Sequence, residues 1–215
     1  MFFITFEGID QSGKSTQLEL LAESCAAADI DALTVREPGG TPLGEGIRKM
    51  LLGPEHEGMD PWAEALLYAA ARAQLVRDVI RPALGSGRIV LSDRYIDSSL
   101  VYQGIARGLG VERILDLNLG ATGGLMPDLT LILHLDVTGS RERLAARGEG
   151  GDRIEGEPLE FHQQVEAGYR QLEEMYPARL VGIDAGVTVE EVHAAVVAAC
   201  RERLGLEIEP APVST

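Results

Sequence analysis

Cysteine, basic charge and long apolar runs are all scarce in this 215-residue chain. The two cysteines, Cys25 and Cys200, stand in Ala-rich, helix-like surroundings at no metal-ligand or disulfide spacing. A disulfide scaffold is therefore excluded, and buried thiols are the expectation. No apolar run approaches the roughly 18 residues of a membrane helix, and the opening MFFITFEGID has no basic stretch ahead of an apolar one. The sequence is thus expected to lack a membrane span and a secretory leader, which makes the cytoplasm the expected location. Lys and Arg number 19 against 34 Asp and Glu, a net charge of −15. That balance argues against nucleic-acid backbone or an anionic membrane surface as a partner, so any bound anion must be held by local charge. His56, His134, His162 and His193 show no ligand spacing and read as structural. No internal repeat or linker interrupts the chain.

What remains is globular in kind, with 45% apolar and 25% charged residues and a length suited to one domain, expected over 1–205. Apolar stretches carrying β-branched or aromatic residues at 2–7, 32–36, 88–93, 129–135 and 180–184 read as buried strands. Helical periodicity lies between them, so the fold class is α/β, a parallel sheet covered on both faces. The spacing predicts a helix over 60–81, capped by Asp60, started at Pro61 and ended before Pro82, with Tyr68 and Arg72 on one face. Thr188 and Glu191 make a capping-box pattern for a C-terminal helix. The glycine-rich polar run 147–157 reads as part of a mobile loop, and 206–215, with two prolines and few large apolar groups, reads as a frayed tail.

The sharpest motif is Gly8-Ile9-Asp10-Gln11-Ser12-Gly13-Lys14-Ser15, which satisfies G-x-x-x-x-G-K-[ST] between a predicted strand and a predicted helix. Backbone N–H groups of such a loop turn inward on phosphates, and the helix N-terminus adds positive partial charge. Lys14 reaches the outer phosphates, and Ser15 can ligate Mg²⁺. With Thr16 the run forms the expected nucleoside triphosphate site, which the resemblance described below assigns to ATP. The loop alone does not separate GTPases, motor ATPases and small-molecule kinases.

Other segments narrow the choice. Asp93 and Arg94 close a predicted strand, where ligands bind in open parallel sheets; the acid suits Mg²⁺ and the arginine suits phosphate. Arg36 to Thr41 reads REPGGT after another strand, a stiff turn that permits close backbone approach. Ser98, Ser99, Tyr102 and Gln103 offer hydroxyl and amide groups for a base or sugar, and Tyr68 with Arg72 offers a plane and a fork of donors. Arg141, Arg143, Arg147 and Arg153 concentrate the minority charge around the glycine-rich run, as a lid over about 141–157 would need.

The P-loop, REPGGT, DRYIDSSLVYQG at 93–104 and DRIE at 152–155, in this order, make the chain resemble the bacterial thymidylate kinases over nearly its whole length. The resemblance implies a P-loop NTPase fold, with a five-stranded parallel sheet flanked by helices and carrying a mobile lid. It also implies ATP-dependent phosphorylation of dTMP to dTDP with Mg²⁺, on the route to dTTP, usually by a homodimer. Residue by residue, it implies Asp10 at the sugar 3′-hydroxyl and Arg48 and Arg94 on the dTMP phosphate. Around the base it implies Tyr68 stacked on thymine, Arg72 donating to O4, and Ser99 and Gln103 nearby, with Tyr102 near the 2′ position. Glu37 and Asp93 are the implied acids around Mg²⁺ and its waters. Gln11 departs from the Gly or basic residue of many relatives, and Tyr68 from the commoner Phe. With no arginine in the P-loop, the resemblance passes the catalytic arginine to the lid, as Arg147 or Arg153, beside Lys14 and Arg94.

Two alternatives stand next to this reading. One is a monophosphate kinase of broader pyrimidine acceptance, since Tyr68 adds a hydroxyl beside the base. The other is a P-loop switch, disfavoured because Asn118 is the only asparagine and no NKxD-like base reader is present.

Overall fold

The computed structural model describes residues 1–147 and 151–213, the side chain of Arg147 excepted. Five apolar segments form parallel strands β1 (Phe3–Glu7), β2 (Ala32–Arg36), β3 (Ile89–Asp93), β4 (Leu129–His134) and β5 (Leu180–Asp184), in the order β2-β3-β1-β4-β5. These lie within a residue of the predicted strands. β1 is buried along its whole length, as a central strand covered on both faces must be. The chain first builds β2 and β3 on one side of β1 and then β4 and β5 on the other. The carboxyl end of β1 is therefore the point where the winding reverses, where open α/β sheets bind ligands.

Around the sheet lie α1 (Lys14–Ala27), α2 (Pro42–Leu52), α3 (Pro61–Leu75), α4 (Arg81–Gly85), α5 (Ile96–Ser99), α6 (Val111–Thr122), α7 (Val137–Arg147), α8 (Leu159–Met175) and α9 (Val189–Leu204). Asp60 caps α3 through Trp62 N–H at 2.8 Å, and the reciprocal box of Thr188 and Glu191 caps α9. Pro82 does not end the helical path as expected. A π-helical turn, Val76–Ile80, joins α3 to α4, and Pro82 sits in the first turn of α4, where its missing N–H is tolerated. A second π-helical stretch, Leu100–Ala106, follows α5.

One core cluster runs from Phe3 to Ile208 and includes both cysteines, fully buried as free thiols. The expected fraying of the tail is corrected here for 206–211. Leu206 and Ile208 enter the core, and Ala211 N–H donates to Ser24 Oγ at 2.9 Å. Two well-placed apolar side chains outweigh an unpromising composition, since each contributes roughly 1.5–3 kcal/mol on full burial. Among the described residues no helix is long and apolar enough to cross a membrane.

Candidate active site

The site begins where β1 stops. Gly8 has φ +134°, and a Cβ there would lie 2.5 Å from the Leu133 carbonyl oxygen, so this turn accepts only glycine. Gly13, also at positive φ, starts α1 and points the helix N-terminus into the loop. Gln11 has φ +61°, a left-handed conformation that glycine would adopt more readily. Its side chain is put to use, Nε2 donating to Glu155 Oε1 at 3.2 Å. Lys14 folds back on the loop and donates to Ile9 O at 2.8 Å and Gly8 O at 3.3 Å. Burial, with the Arg94 charge adding to it, brings its ammonium down to about 8. Ser15 Oγ donates to Asp93 Oδ2 at 2.6 Å. These two hard oxygens fit a Mg²⁺, which they would hold together with phosphate and water oxygens. Thr16 is exposed beside them.

Arg94 stands directly after β3 at φ +70°. Its guanidinium reaches Asp10 Oδ1 at 2.5 Å, Gly8 O and Ser98 Oγ at 3.0 Å and Tyr169 Oη at 3.2 Å, and lies 5.2 Å over the Tyr102 ring. Burial would raise the Asp10 carboxyl, but Arg94 and Lys14 hold it below its usual range. Below this pair Glu7, fully buried, accepts from Ser98 Oγ at 2.5 Å, Tyr169 Oη at 2.9 Å and Tyr95 N–H at 2.8 Å. Ser98 and Tyr169 thus tie Glu7 to Arg94.

The turn after β2 brings Arg48 to the cleft, its Nη1 donating to Pro38 O at 3.0 Å. Tyr68 and Arg72 share the cleft-facing side of α3, as their i, i+4 spacing requires. Arg72 is 1% exposed, and its donors are matched to protein acceptors: Nε and Nη2 to Glu37 Oε2, Nη1 to Ser99 Oγ and Asn118 Oδ1, and Nη2 to Tyr95 O. Arg72 braces the cleft wall and has no free donor aimed at a base oxygen, because buried acceptors from four residues surround it. Glu37 pairs with Arg72 at 2.7 Å, and its Oε1 is buried without a partner among the described residues. Burial pushes its carboxyl up to about 7 against the pull of Arg72. Ser99 on α5 and Tyr102 and Gln103 on the π-helical stretch are buried and line the cleft.

Within the segment expected to form the lid, Arg143 donates to Gln11 O at 3.2 Å and Ala185 O at 2.9 Å, touching the P-loop. The Arg147 side chain and residues 148–150 lie outside the described residues. Arg153 does not face the P-loop as expected. Its Nη2 bonds Glu64 Oε2 at 2.7 Å and its Nε bonds Leu51 O at 2.7 Å, because a buried carboxylate on α3 outcompetes the open cleft for it. Residues that sequence reasoning passed over, Glu7, Glu64 and Tyr169, all carry buried polar groups. Glu7 alone left a trace, a carboxylate inside the apolar run FITFE. Asn118 was set aside for lacking a motif, although a lone buried amide needs none to hold an arginine.

These side chains surround one cleft of about 900 Å³ that extends from Arg48 and Tyr68 across the P-loop to Arg143 and Val189. Comparison with known proteins agrees with that arrangement. A family model described as thymidylate kinase matches residues 6–196. The thymidylate kinase of Pelotomaculum thermopropionicum is 48% identical over 202 residues, 94% of each chain, and that of Symbiobacterium thermophilum is 49% identical over 191 residues, 88% of each. The crystal structure of thymidylate kinase from Ehrlichia chaffeensis superposes with a TM-score of 0.73 at 32% identity, covering 92% of this chain and 97% of that one. Sequence, fold and cleft converge, and the chain belongs to the thymidylate kinase family.

Proposed function

We propose that this enzyme transfers the γ-phosphoryl group of ATP to dTMP, yielding ADP and dTDP, in the cytoplasm and on the route to dTTP. The observation that carries the reading is the single cleft joining a P-loop to a polar, partly aromatic pocket, with Arg94 and Asp10 at the junction. ATP takes the side of Gly8 to Thr16, and dTMP takes the side of Arg48, Tyr68, Arg72, Ser99, Tyr102 and Gln103. Mg²⁺, held by Ser15 and Asp93, supplies neutralisation of the triphosphate.

The acceptor phosphate has a second pKa of about 6, so near neutral pH it is mostly a dianion and needs no general base. An acceptor oxygen attacks the γ-phosphorus as the bond to the bridging oxygen of ADP breaks. Repulsion between the two anions is the obstacle, and positioned cations remove it. Lys14 and Arg94 act from the body, and Arg147 acts from α7. Asp10 receives the sugar hydroxyl, and Arg72 exchanges one present partner for O4 of the base. Closing of the lid excludes water and suppresses hydrolysis of ATP. Two copies form the working unit, a proposal supported by the large apolar side chains Leu43, Met50 and Leu66 left exposed on α2 and α3.

Coupled ADP release with ATP and Mg²⁺, run with dTMP, dUMP, CMP, AMP or no acceptor, tests the reading. Strong turnover with dTMP and formation of dTDP is the expected result. Release indifferent to every monophosphate would overturn it.

A further inference from the structure

Glu64 lies in the first turn of α3 and is fully buried, yet nothing in the transfer chemistry calls for a carboxylate there. Its Oε1 accepts from Gln103 Nε2 at 2.9 Å and Arg107 Nε at 3.3 Å. Its Oε2 accepts from Arg107 Nη2 at 3.1 Å and Arg153 Nη2 at 2.7 Å. Burial would favour the neutral acid, but the hydrogen bonds from Arg107, Gln103 and Arg153 hold the group below the usual carboxylate range. Glu64 is therefore an ionised carboxylate, which only accepts.

An amide side chain is ambivalent and presents either oxygen or nitrogen according to its neighbours. Gln103 is 2% exposed and lines the cleft. A partner that only accepts draws its NH₂ end inward, which leaves the carbonyl oxygen as the end turned away from Glu64. We infer that Glu64 is a positioning residue for base selection: it fixes the Gln103 amide so that a carbonyl acceptor, and not a donor, meets the ring nitrogen of the acceptor nucleotide. Thymine and uracil carry an N–H at N3, whereas cytosine carries an unprotonated acceptor there. The device thus selects keto pyrimidines, and Arg107 and Arg153 act by keeping Glu64 charged.

The inference rests on the base-pocket side of the proposed function, and its test separates the two. kcat and KM for dTMP and dCMP are measured for the wild type, Glu64→Gln and Gln103→Met. Glu64→Gln can both accept and donate, so Gln103 becomes free to turn. Its ratio of kcat/KM for dTMP over dCMP is expected to fall by about tenfold or more, through a raised KM for dTMP, with KM for ATP unchanged. Gln103→Met leaves Glu64 its arginine partners and is expected to lower the same ratio, which covers the case in which Glu64→Gln does not fold. Equal loss of activity toward both substrates in Glu64→Gln, or an unchanged ratio in Gln103→Met, would overturn the inference. A wild type that does not prefer dTMP to dCMP would overturn the base-pocket reading itself.

Discussion

Lys14 is the residue whose chemistry changes most when a ligand arrives. Alone in the loop its ammonium faces carbonyl oxygens in a buried setting, and desolvation brings its pKa from 10.5 to about 8. The unfolded chain binds more protons than the folded one between these values, so this group adds stability as pH rises through that window. Phosphates reverse the shift, since an adjacent anion favours the ammonium. ATP binding at pH 8–9 is therefore expected to take up protons, read by calorimetry in two buffers of different ionisation enthalpy, while Lys14→Arg binds without uptake. Equal heats in both buffers for the wild type would refute this. Gly8 carries a second residue-scale prediction. A Cβ placed 2.5 Å from Leu133 O at φ +134° forces backbone movement, so Gly8→Ala is expected to lose at least about 2 kcal/mol in chemical denaturation. Both residues were legible in the sequence because P-loop chemistry is local, each role set by spacing within eight positions. Arg72 and Glu37 were legible as members of the site but not in their partners. An arginine 35 positions from its carboxylate finds it only when α3 packs beside the turn after β2.

Among the elements, the strands were read to within a residue and the capped starts of α3 and α9 were read in full. Strand runs and caps depend on neighbouring residues, which is why they survive without tertiary context. The π-helical turns did not. A widened turn has no composition of its own, and it forms where packing demands an extra residue per turn. The segment expected to form the lid shows the same limit. A basic concentration marked it, but Arg143 meets the P-loop while Arg153 seats on Glu64. Arg147 and Arg153, the alternatives for the catalytic arginine, should therefore part company in kinetics. Arg147→Ala is expected to lower kcat by about 10³ with KM for dTMP little changed, as loss of an arginine from a phosphoryl transition state does. Arg153→Ala is expected to act mainly on KM for dTMP, because it unseats the segment from the pocket wall. Steady-state kinetics of both variants checks this, and unchanged kcat in Arg147→Ala would remove it from the transition state.

At the scale of the molecule, nucleotide binding draws together parts that the chain order keeps far apart. The cleft takes residues from the loop after β1, α2, α3, the end of β3 and the segment before α8, so occupancy stabilises the fold as a whole. dTMP at about 100 times its Kd contributes about 2.7 kcal/mol, a rise of roughly 5–10 °C in Tm for a chain of this size. Thermal unfolding with dTMP and with dCMP measures it, and equal shifts would speak against selection by the base. By itself the sequence determined the α/β class, the phosphate loop and the family, since these follow from short-range pattern and motif order. Tertiary structure alone decided where the buried charges go. Glu7 under Arg94, Asn118 against Arg72 and Glu64 behind Gln103 are contacts between distant segments. Their reason is physical: a buried charge must be paired, and the partner is chosen by which elements pack together, which no local spacing records.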